Sequence, residues 1–187
     1  MQGYFVIVSL VIMVLGVGLR SAKMNRAGIR AVHFGELDKK DFLIPPFVIL
    51  YFYLILANTF QLPKFDYLLV NEPIAAWVGT FFCLFAPVLF LWGILSFGQS
   101  FRVGIDEKKP GELITSGAFA VSRNPLYAAF VMFLIGVFLT FPTWIFFAYF
   151  VVGLWLIDRQ VCLEESALRK IYGNKYDEYC NNTRRYI

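Results

Sequence analysis

Residues 124–157 read NPLYAAFVMFLIGVFLTFPTWIFFAYFVVGLWLI, 34 consecutive residues without a charge. A straight helix of that length would measure about 51 Å, whereas the hydrocarbon core of a bilayer is only about 30 Å thick. Residues 140–143 (TFPT) interrupt the run, and proline inside a helix removes a backbone donor and clashes with the preceding turn. The stretch therefore predicts two helices, at 125–140 and 143–160, that form a tight hairpin at Pro142.

Three further runs, at 1–19, 42–63 and 73–101, also lack charged residues, and each is long enough to cross a bilayer. The whole chain is 59% hydrophobic and 16% charged, whereas soluble domains average about 25% charged residues. Together with the hairpin, these runs predict an all-α, polytopic integral membrane protein. Its five transmembrane helices are expected at about 3–20, 43–61, 74–97, 125–140 and 143–160.

The first run has features of a retained helix more than of a cleaved signal peptide. Its positive charges, Arg20, Lys23 and Arg26, follow the apolar stretch, whereas a signal peptide carries them in front. No small-residue cleavage site closes the run. We therefore expect the first helix to remain in the protein.

The basic residues predict the orientation. With five spans, the loop at 20–42, the loop at 98–124 and the C-terminal tail share one side of the membrane, and they hold 16 of the 17 lysines and arginines. Only Lys64 falls on the other side. Because cytoplasmic loops are enriched in positive charge, the N-terminus is expected outside and the tail in the cytoplasm. The net charge of +4 then reflects topology, and nucleic acid is not an expected partner.

The tail differs from the spans in composition. Residues 158–179 mix charges of both signs with aliphatic and aromatic residues, which predicts an amphipathic helix continuing from the fifth span and breaking at Gly173. A short helical turn at 176–179 should follow. We divide the chain into residues 1–97, with three N-terminal transmembrane helices, and residues 98–187, a cofactor-binding catalytic module with its active site facing the cytoplasm.

Few residues can carry chemistry. His33 is the one histidine, and the three cysteines have no metal-type spacing, so no metal site is expected. Arg123 and Asn124 precede Pro125 at the mouth of the fourth span, where the free N–H groups of a helix N-terminus attract anions. A snorkelling arginine beside an ordinary helix cap would explain the same residues. The adjacent carboxylates at 164–165 could equally be part of a solvated helix face.

Two strings and their spacing resemble the isoprenylcysteine carboxyl methyltransferase family. The family pattern is roughly L-V-T-S-G-x-Y and then R-H-P-x-Y, and here residues 113–119 read LITSGAF and residues 123–127 read RNPLY. About forty residues later the family has E-E, an aliphatic residue and F-G-x-x-Y-x-x-Y, and residues 164–179 read EESALRKIYGNKYDEY. The resemblance covers residues 98–187, and related membrane phospholipid methyltransferases share the same plan.

The resemblance implies S-adenosylmethionine as cofactor and an amphiphilic, lipid-like or isoprenylcysteine-like acceptor that enters from the bilayer, with carboxyl methylation favoured. A carboxylate acceptor needs no general base, whereas an amine or hydroxyl would. The candidate catalytic residues are Arg159, Glu165 and Tyr127. The candidate cofactor-binding residues are Gly111, Glu112, Leu113, Ile114, Phe119, Arg123, Asn124, Pro125, Leu126, Tyr127 and Glu164.

Two positions depart from the family pattern. Asn124 replaces the usual histidine, so the side chain can bind but cannot titrate. Gln160 aligns with the family's substrate-contacting arginine, and Arg159 is one residue away, about 100° round a helix.

Two other functions remain open. An NADPH-dependent sterol-type reductase has a similar C-terminal pattern but usually more spans, and a non-enzymatic scaffold or transporter subunit needs no cofactor. Competition between S-adenosylhomocysteine and NADPH for binding would distinguish the three.

Overall fold

The computed structural model describes residues 1–26, 44–62, 68–69, 72–98 and 111–186. Within these ranges the chain forms helices and no β-strand. The helices are α1 (Gln2–Arg26), α2 (Ile44–Thr59), α3 (Pro73–Ser96), α4 (Ala118–Val121), α5 (Pro125–Thr140), α6 (Trp144–Tyr172) and α7 (Asn174–Asn182). The predictions that concern His33, Lys64 and the basic residues between 27 and 43 and between 99 and 110 lie outside the described residues.

Three helices, α1, α3 and α6, are long and apolar enough to cross a membrane, and α2 and α5 are shorter apolar helices. All five lie within a few residues of the predicted spans at one or both ends. The predicted all-helical, membrane-type architecture is therefore confirmed, while the number of spans and the sidedness of the tail stay predictions.

The predicted hairpin at Pro142 is confirmed. Helix α5 ends at Thr140 and α6 begins at Trp144. The Thr143 hydroxyl accepts a hydrogen bond from the Phe146 N–H at 3.4 Å, so this residue caps α6. The Pro142 carbonyl accepts a hydrogen bond from the Leu69 N–H at 2.8 Å, which fixes the turn against the segment that precedes α3.

Two helices extend beyond the predicted spans. Helix α1 continues to Arg26, because backbone hydrogen bonds do not require an apolar sequence and the basic residues of its last turn favour a helix C-terminus. Helix α6 continues into the tail as far as Tyr172, and Gly173 ends it with φ of 54°. That left-handed conformation suits glycine, so the predicted break is confirmed. The predicted short turn is longer in the structure and forms α7.

Helices α3 and α5 approach each other closely. A Cβ atom added to Gly136 would lie 2.6 Å from Cys83 Sγ, and one added to Gly79 would lie 2.5 Å from the Gly136 carbonyl oxygen. Only glycine allows the two backbones to approach this closely, as in small-residue contacts between membrane helices. Helix α5, which begins at the candidate site, is thus held firmly by α3.

A second, smaller core lies beside the tail. Tyr176 and Tyr179 of α7 are buried against Phe119 of α4, and Leu113 and Ile114 pack on the same cluster. This core joins the segment before α5 to the helix after α6. It therefore brings together two motifs that are about fifty residues apart in sequence.

Candidate active site

The site begins at the N-terminus of α5. Asn124 is the N-cap residue and Pro125 occupies the first turn, as predicted. The Asn124 side chain makes no capping hydrogen bond. It is buried instead, 8% exposed, and its Nδ2 donates to Glu165 Oε1 at 3.1 Å and to the Arg185 carbonyl at 3.2 Å. The first-turn N–H groups of α5 thus have no side-chain cap.

Glu165 is the centre of a buried polar network. Glu165 is 4% exposed, and its Oε2 accepts hydrogen bonds from Arg185 Nη2 at 2.8 Å and from Arg185 Nε at 3.1 Å. Oε1 accepts from Asn124 and lies 3.4 Å from Arg123 Nε in an ion pair. A buried carboxylate is costly unless it is paired and hydrogen-bonded, and this one meets both conditions.

Arg123 ties the network to the tail through the backbone. Its Nη1 donates to the Cys180 carbonyl at 3.0 Å, and its N–H donates to the Arg184 carbonyl at 2.9 Å. Ser122 pairs with Arg184 in an isolated parallel bridge. Arg123 is therefore more than a snorkelling interfacial arginine, because it holds the segment that follows α7 against the start of α5.

Glu164 forms hydrogen bonds with a different set of residues. Its Oε1 accepts a hydrogen bond from the Tyr127 hydroxyl at 2.6 Å and one from Gln160 Nε2 at 3.4 Å. Gln160 Oε1 is buried, and no donor among the described residues bonds to it. Adjacent positions on a helix diverge by about 100°, so the two carboxylates serve different clusters.

Two tail tyrosines hold the segment that contains the first motif. The Tyr179 hydroxyl donates to the Phe119 carbonyl at 2.6 Å in a buried position, and the Tyr172 hydroxyl donates to the Gly111 carbonyl at 2.6 Å. Burial raises the pKa of Tyr179 and of Tyr176 well above the usual value near 10. Both phenols thus stay protonated at neutral pH, and Tyr179 keeps its role as a donor.

An apolar cavity of about 530 Å³ lies between α3, α5 and α6. One face of α5 and one of α6 supply most of its walls, and Asp158 and Tyr186 also line it. The Tyr186 hydroxyl donates to Asp158 at 3.3 Å. Burial and the Asp158 carboxylate raise the pKa of Tyr186 to about 12. The lining residues are Phe82, Ala128, Val131, Met132, Ile135, Leu154, Ile157, Asp158 and Tyr186.

The structure places the predicted residues in three groups. Phe119, Asn124 and Pro125 are buried, whereas Leu113, Ile114, Arg123, Leu126, Tyr127 and Glu164 are half-buried around the same helix end. Gly111 and Glu112 are exposed. Arg159 is half-buried and is not among the residues that line the cavity.

The sequence did not single out Arg185 or Tyr186, and it predicted no contact for Asp158 or Gln160. Arg185 belongs to a basic pair that topology alone explained. Its partner, Glu165, lies twenty residues away in sequence, so no local sequence pattern predicts the contact. The lack of a hydrogen-bond donor for the Gln160 side-chain oxygen among the described residues could not be predicted for the same reason.

Comparison with protein families decides the relationship. Residues 74–175, more than half of the chain, match the family of phospholipid methyltransferases. This chain belongs to the phospholipid methyltransferase family. That family is related to the isoprenylcysteine carboxyl methyltransferases, so the suspected membrane methyltransferase relationship is confirmed. The family match begins in α3, earlier than the resemblance at residue 98, and ends in α7. No curated protein matches the sequence.

Proposed function

We propose that this chain is an S-adenosylmethionine-dependent methyltransferase that methylates the head group of an amphiphile held in the cavity between α3, α5 and α6. Membership in the phospholipid methyltransferase family supports methyl transfer in general. The observation that carries the specific proposal is the junction of two features. The apolar cavity is lined by Ala128, one residue from Tyr127 of the motif, and by Tyr186, one residue from Arg185 of the Glu165 network.

The residues at the start of α5 fit the cofactor. Asn124 bonds to Glu165 and does not cap its own helix, and the positive end of the α5 dipole would favour the methionine carboxylate. Glu164 offers a carboxylate for the amino group or the ribose hydroxyls. When bound, S-adenosylmethionine supplies a methyl group attached to a sulfonium. The thioether that remains after transfer is a good leaving group, so the reaction needs no metal. The proposed cofactor residues are those named from the resemblance.

The cavity fits the apolar chain of the acceptor. Its walls are apolar side chains from three helices, and a volume of about 530 Å³ lies within the range of about 300–1,000 Å³ typical of small-molecule sites. An acyl or prenyl chain lying there would place its head group beside Asp158 and Tyr186. The acceptor is therefore expected to enter from the lipid and to present its head group at the start of α5.

Two head-group chemistries compete. The resemblance favours a carboxyl acceptor, which Arg159 would hold. The cavity favours an amine, because Asp158 is among the residues that line it and Arg159 is not. A carboxylate beside Asp158 would suffer like-charge repulsion, whereas an ammonium would be attracted. We therefore take an amine head group as the proposed acceptor and a carboxyl group as the second candidate.

The protein acts mainly by positioning. Methyl transfer requires the nucleophile in line with the methyl group and the sulfur, and orientation alone supplies several kcal/mol, up to about 7–11 in favourable cases. With S-adenosylmethionine bound, the amine nitrogen would take the methyl group, the thioether would leave with the electron pair of the C–S bond, and Asp158 or Glu164 would accept the proton that the nitrogen releases. Glu165, with both oxygens hydrogen-bonded, is proposed to position Asn124 and Arg185 and not to act as the base.

For the topology we keep the prediction of five spans, with the N-terminus outside and the tail in the cytoplasm. A 16-residue helix measures about 24 Å, so α2 and α5 require their flanking residues to reach the interfaces. Reporter fusions or thiol labelling at residues 64 and 181 should report opposite sides of the membrane. Labelling of both from the same side would contradict the five-span topology.

The activity is tested with the purified chain in detergent micelles or vesicles. Calorimetry should show S-adenosylmethionine binding that S-adenosylhomocysteine displaces and NADPH does not. Glu164→Gln should weaken that binding about tenfold, the value of one charged hydrogen bond, whereas the matched control Glu178→Gln, on the exposed face of α7, should not. Absence of binding, or displacement by NADPH, would refute the proposed function.

A further inference from the structure

The segment that follows α7, residues 183–186, contacts the start of α5 and reaches the cavity, and we call it the strap. All four of its residues are half-buried or exposed, and none belongs to the hydrophobic clusters of the described part of the chain. Its attachment therefore depends on hydrogen bonds and one ion pair. Segments with few buried apolar contacts open at a lower free energy than the core of a protein. The strap is thus suited to local movement.

Arg184 and Arg185 form the anchored part of the strap. The Arg184 carbonyl accepts a hydrogen bond from the Arg123 N–H at 2.9 Å, and the Arg185 carbonyl accepts one from Asn124 Nδ2 at 3.2 Å. The Arg185 guanidinium donates two more, at 2.8 and 3.1 Å, to the buried carboxylate of Glu165. These contacts fix the strap as far as residue 185.

Tyr186 is held far less firmly than the anchored part. Its hydroxyl donates to Asp158 Oδ1 at 3.3 Å, which is long for an O–H···O hydrogen bond, whose usual range is about 2.5–3.0 Å. Asp158 is exposed and Tyr186 is half-buried, so water competes for the same carboxylate. The Tyr186 side chain is therefore a movable tip on a fixed base.

Tyr186 lies at the end of the cavity that is nearer to the start of α5. Among the lining residues, Ala128 is the first on α5 and Asp158 is the last on α6. Because α5 and α6 form a hairpin at Pro142, these two residues lie at the end of the cavity away from the turn. Tyr186 lines the cavity and bonds to Asp158, so it lies at this same end. The first turn of α5, the proposed cofactor site, is nearer to this end than to the other.

The long sides of the cavity differ from this end. Each lining residue on α3, α5 and α6 is half-buried, apart from the exposed Asp158, so the cavity walls reach the surface of the bundle along their length. An apolar chain can therefore enter sideways from the lipid without passing Tyr186. The head group of that chain must pass Tyr186 to reach the start of α5.

We propose, resting on the methyltransferase function above, that Tyr186 is a gate between the acceptor cavity and the start of α5. The structure has the gate in its closed position, with the phenol on Asp158. In the open position the ring swings away on its anchored base, and the head group then reaches the cofactor. Because the head group contacts the start of α5 only in the open position, a bound head group favours that position.

The conformational test follows the Tyr186 ring in the full chain, labelled with 3-fluorotyrosine in detergent micelles and studied by fluorine NMR. The resonance that is lost in Tyr186→Phe identifies its signal. Hexadecylamine, added with S-adenosylhomocysteine so that no methyl group is transferred, should shift that signal. Hexadecane has the same chain and no head group, and it should leave the signal in place. Asp158→Ala should give the shifted signal without any ligand, whereas Arg184→Ala, the matched control within the strap, should not.

The kinetic test uses labelled S-adenosylmethionine and hexadecylamine. Tyr186→Phe keeps the ring but lacks the hydroxyl that holds the gate closed, so a larger fraction of the chain is ready to take the head group. The apparent affinity rises with that fraction. KM for hexadecylamine should therefore fall severalfold, up to about tenfold, the equivalent of one hydrogen bond to a charged group. The cofactor Kd should not change, because Arg184 and Arg185 keep their contacts.

Each other outcome has one meaning. A Tyr186 signal that neither hexadecylamine nor Asp158→Ala shifts would overturn the gate, and methylation of the amine by the wild type would leave the proposed function intact. Equal shifts with hexadecane and hexadecylamine would make Tyr186 a passive part of the wall and overturn the inference as well. So would an unchanged KM in Tyr186→Phe. No transfer by the wild type to hexadecylamine or to hexadecanoate would refute the proposed function, and the gate with it.

Discussion

Gly136→Ala should push α3 away from α5, the helix that begins at the site. A Cβ at Gly136 would lie 2.6 Å from Cys83 Sγ, 2.8 Å from Cys83 N and 2.8 Å from the Gly79 carbonyl oxygen. Favourable non-bonded contacts need about 3.5–4.0 Å between heavy atoms. Two of the three atoms belong to the α3 backbone and cannot rotate away, so α3 must move outward by roughly 1 Å to restore ordinary contact distances.

The cost follows from two opposed terms. Overpacking in a close-packed interior costs about 1–3 kcal/mol, and the upper end applies here because backbone atoms are struck. Alanine restores up to about 1 kcal/mol of helix propensity. The net loss in the free energy of unfolding is thus about 2 kcal/mol, and for a chain of this size Tm should fall by about 4–8 °C.

Thermal unfolding in detergent micelles, followed by circular dichroism, measures this effect. Gly18→Ala is the matched control, since a Cβ there would meet nothing within 4 Å, and it should be neutral or stabilising. Gly153→Ala should fall between the two, because its Cβ would strike the movable end of Leu134 at 2.7 Å. If Gly136→Ala unfolds at or above the wild-type temperature while Gly18→Ala behaves as expected, the packing argument is wrong.

Three further substitutions address the site. Arg185→Ala leaves the buried carboxylate of Glu165 short of two hydrogen bonds, so stability should fall by about 1–3 kcal/mol and methyl transfer should drop; Arg184→Ala, which keeps its backbone contacts, is the control. Tyr179→Phe removes the hydroxyl that holds the first motif, and cofactor Kd should rise severalfold in calorimetry. Tyr186→Phe should remove the phenol that titrates near pH 12 in an ultraviolet titration.

The sign of the Tyr186 effect follows from its raised pKa. An unfolded tyrosine titrates near pH 10, so between pH 10 and 12 the folded chain holds a proton that the unfolded chain has lost. The stability contributed by this group is full below pH 10 and is lost as pH rises toward 12. The free energy of unfolding of Tyr186→Phe should therefore fall less steeply with pH in this range than that of the wild type. Equal losses for Arg184→Ala and Arg185→Ala, or an unchanged cofactor Kd in Tyr179→Phe, would contradict the assigned contacts.

Much of the fold was predictable because it depends on local patterns. Charge-free runs and a single proline gave the hairpin at Pro142, and a glycine among amphipathic residues gave the break at Gly173. Pro125 gave the start of α5. Each of these features depends on sterics or burial within one or two helical turns. The residues adjacent in sequence are therefore enough to predict it.

The hydrogen-bond network of the site could not be predicted in the same way. Glu164 and Glu165 are adjacent and chemically identical, and only the rotation of α6 sends one to Tyr127 and the other to Arg185. Asp158 and Arg159 are likewise adjacent on α6, yet only Asp158 is among the residues that line the cavity. These choices depend on how α5, α6 and the tail pack, and that packing joins residues 20 to 61 positions apart.

The pairing of Asn124 with Arg185 has a consequence for how the protein is made. A ribosome that has just completed α5 at Thr140 must add about 45 more residues before Arg185, one partner of Asn124, is synthesised. Until then Glu165 lacks its two hydrogen bonds from Arg185. A nonsense mutation at codon 184 would therefore leave every long apolar helix ready for insertion and still abolish the site. Such a truncated chain would be a membrane protein by every test of insertion and an unfinished enzyme.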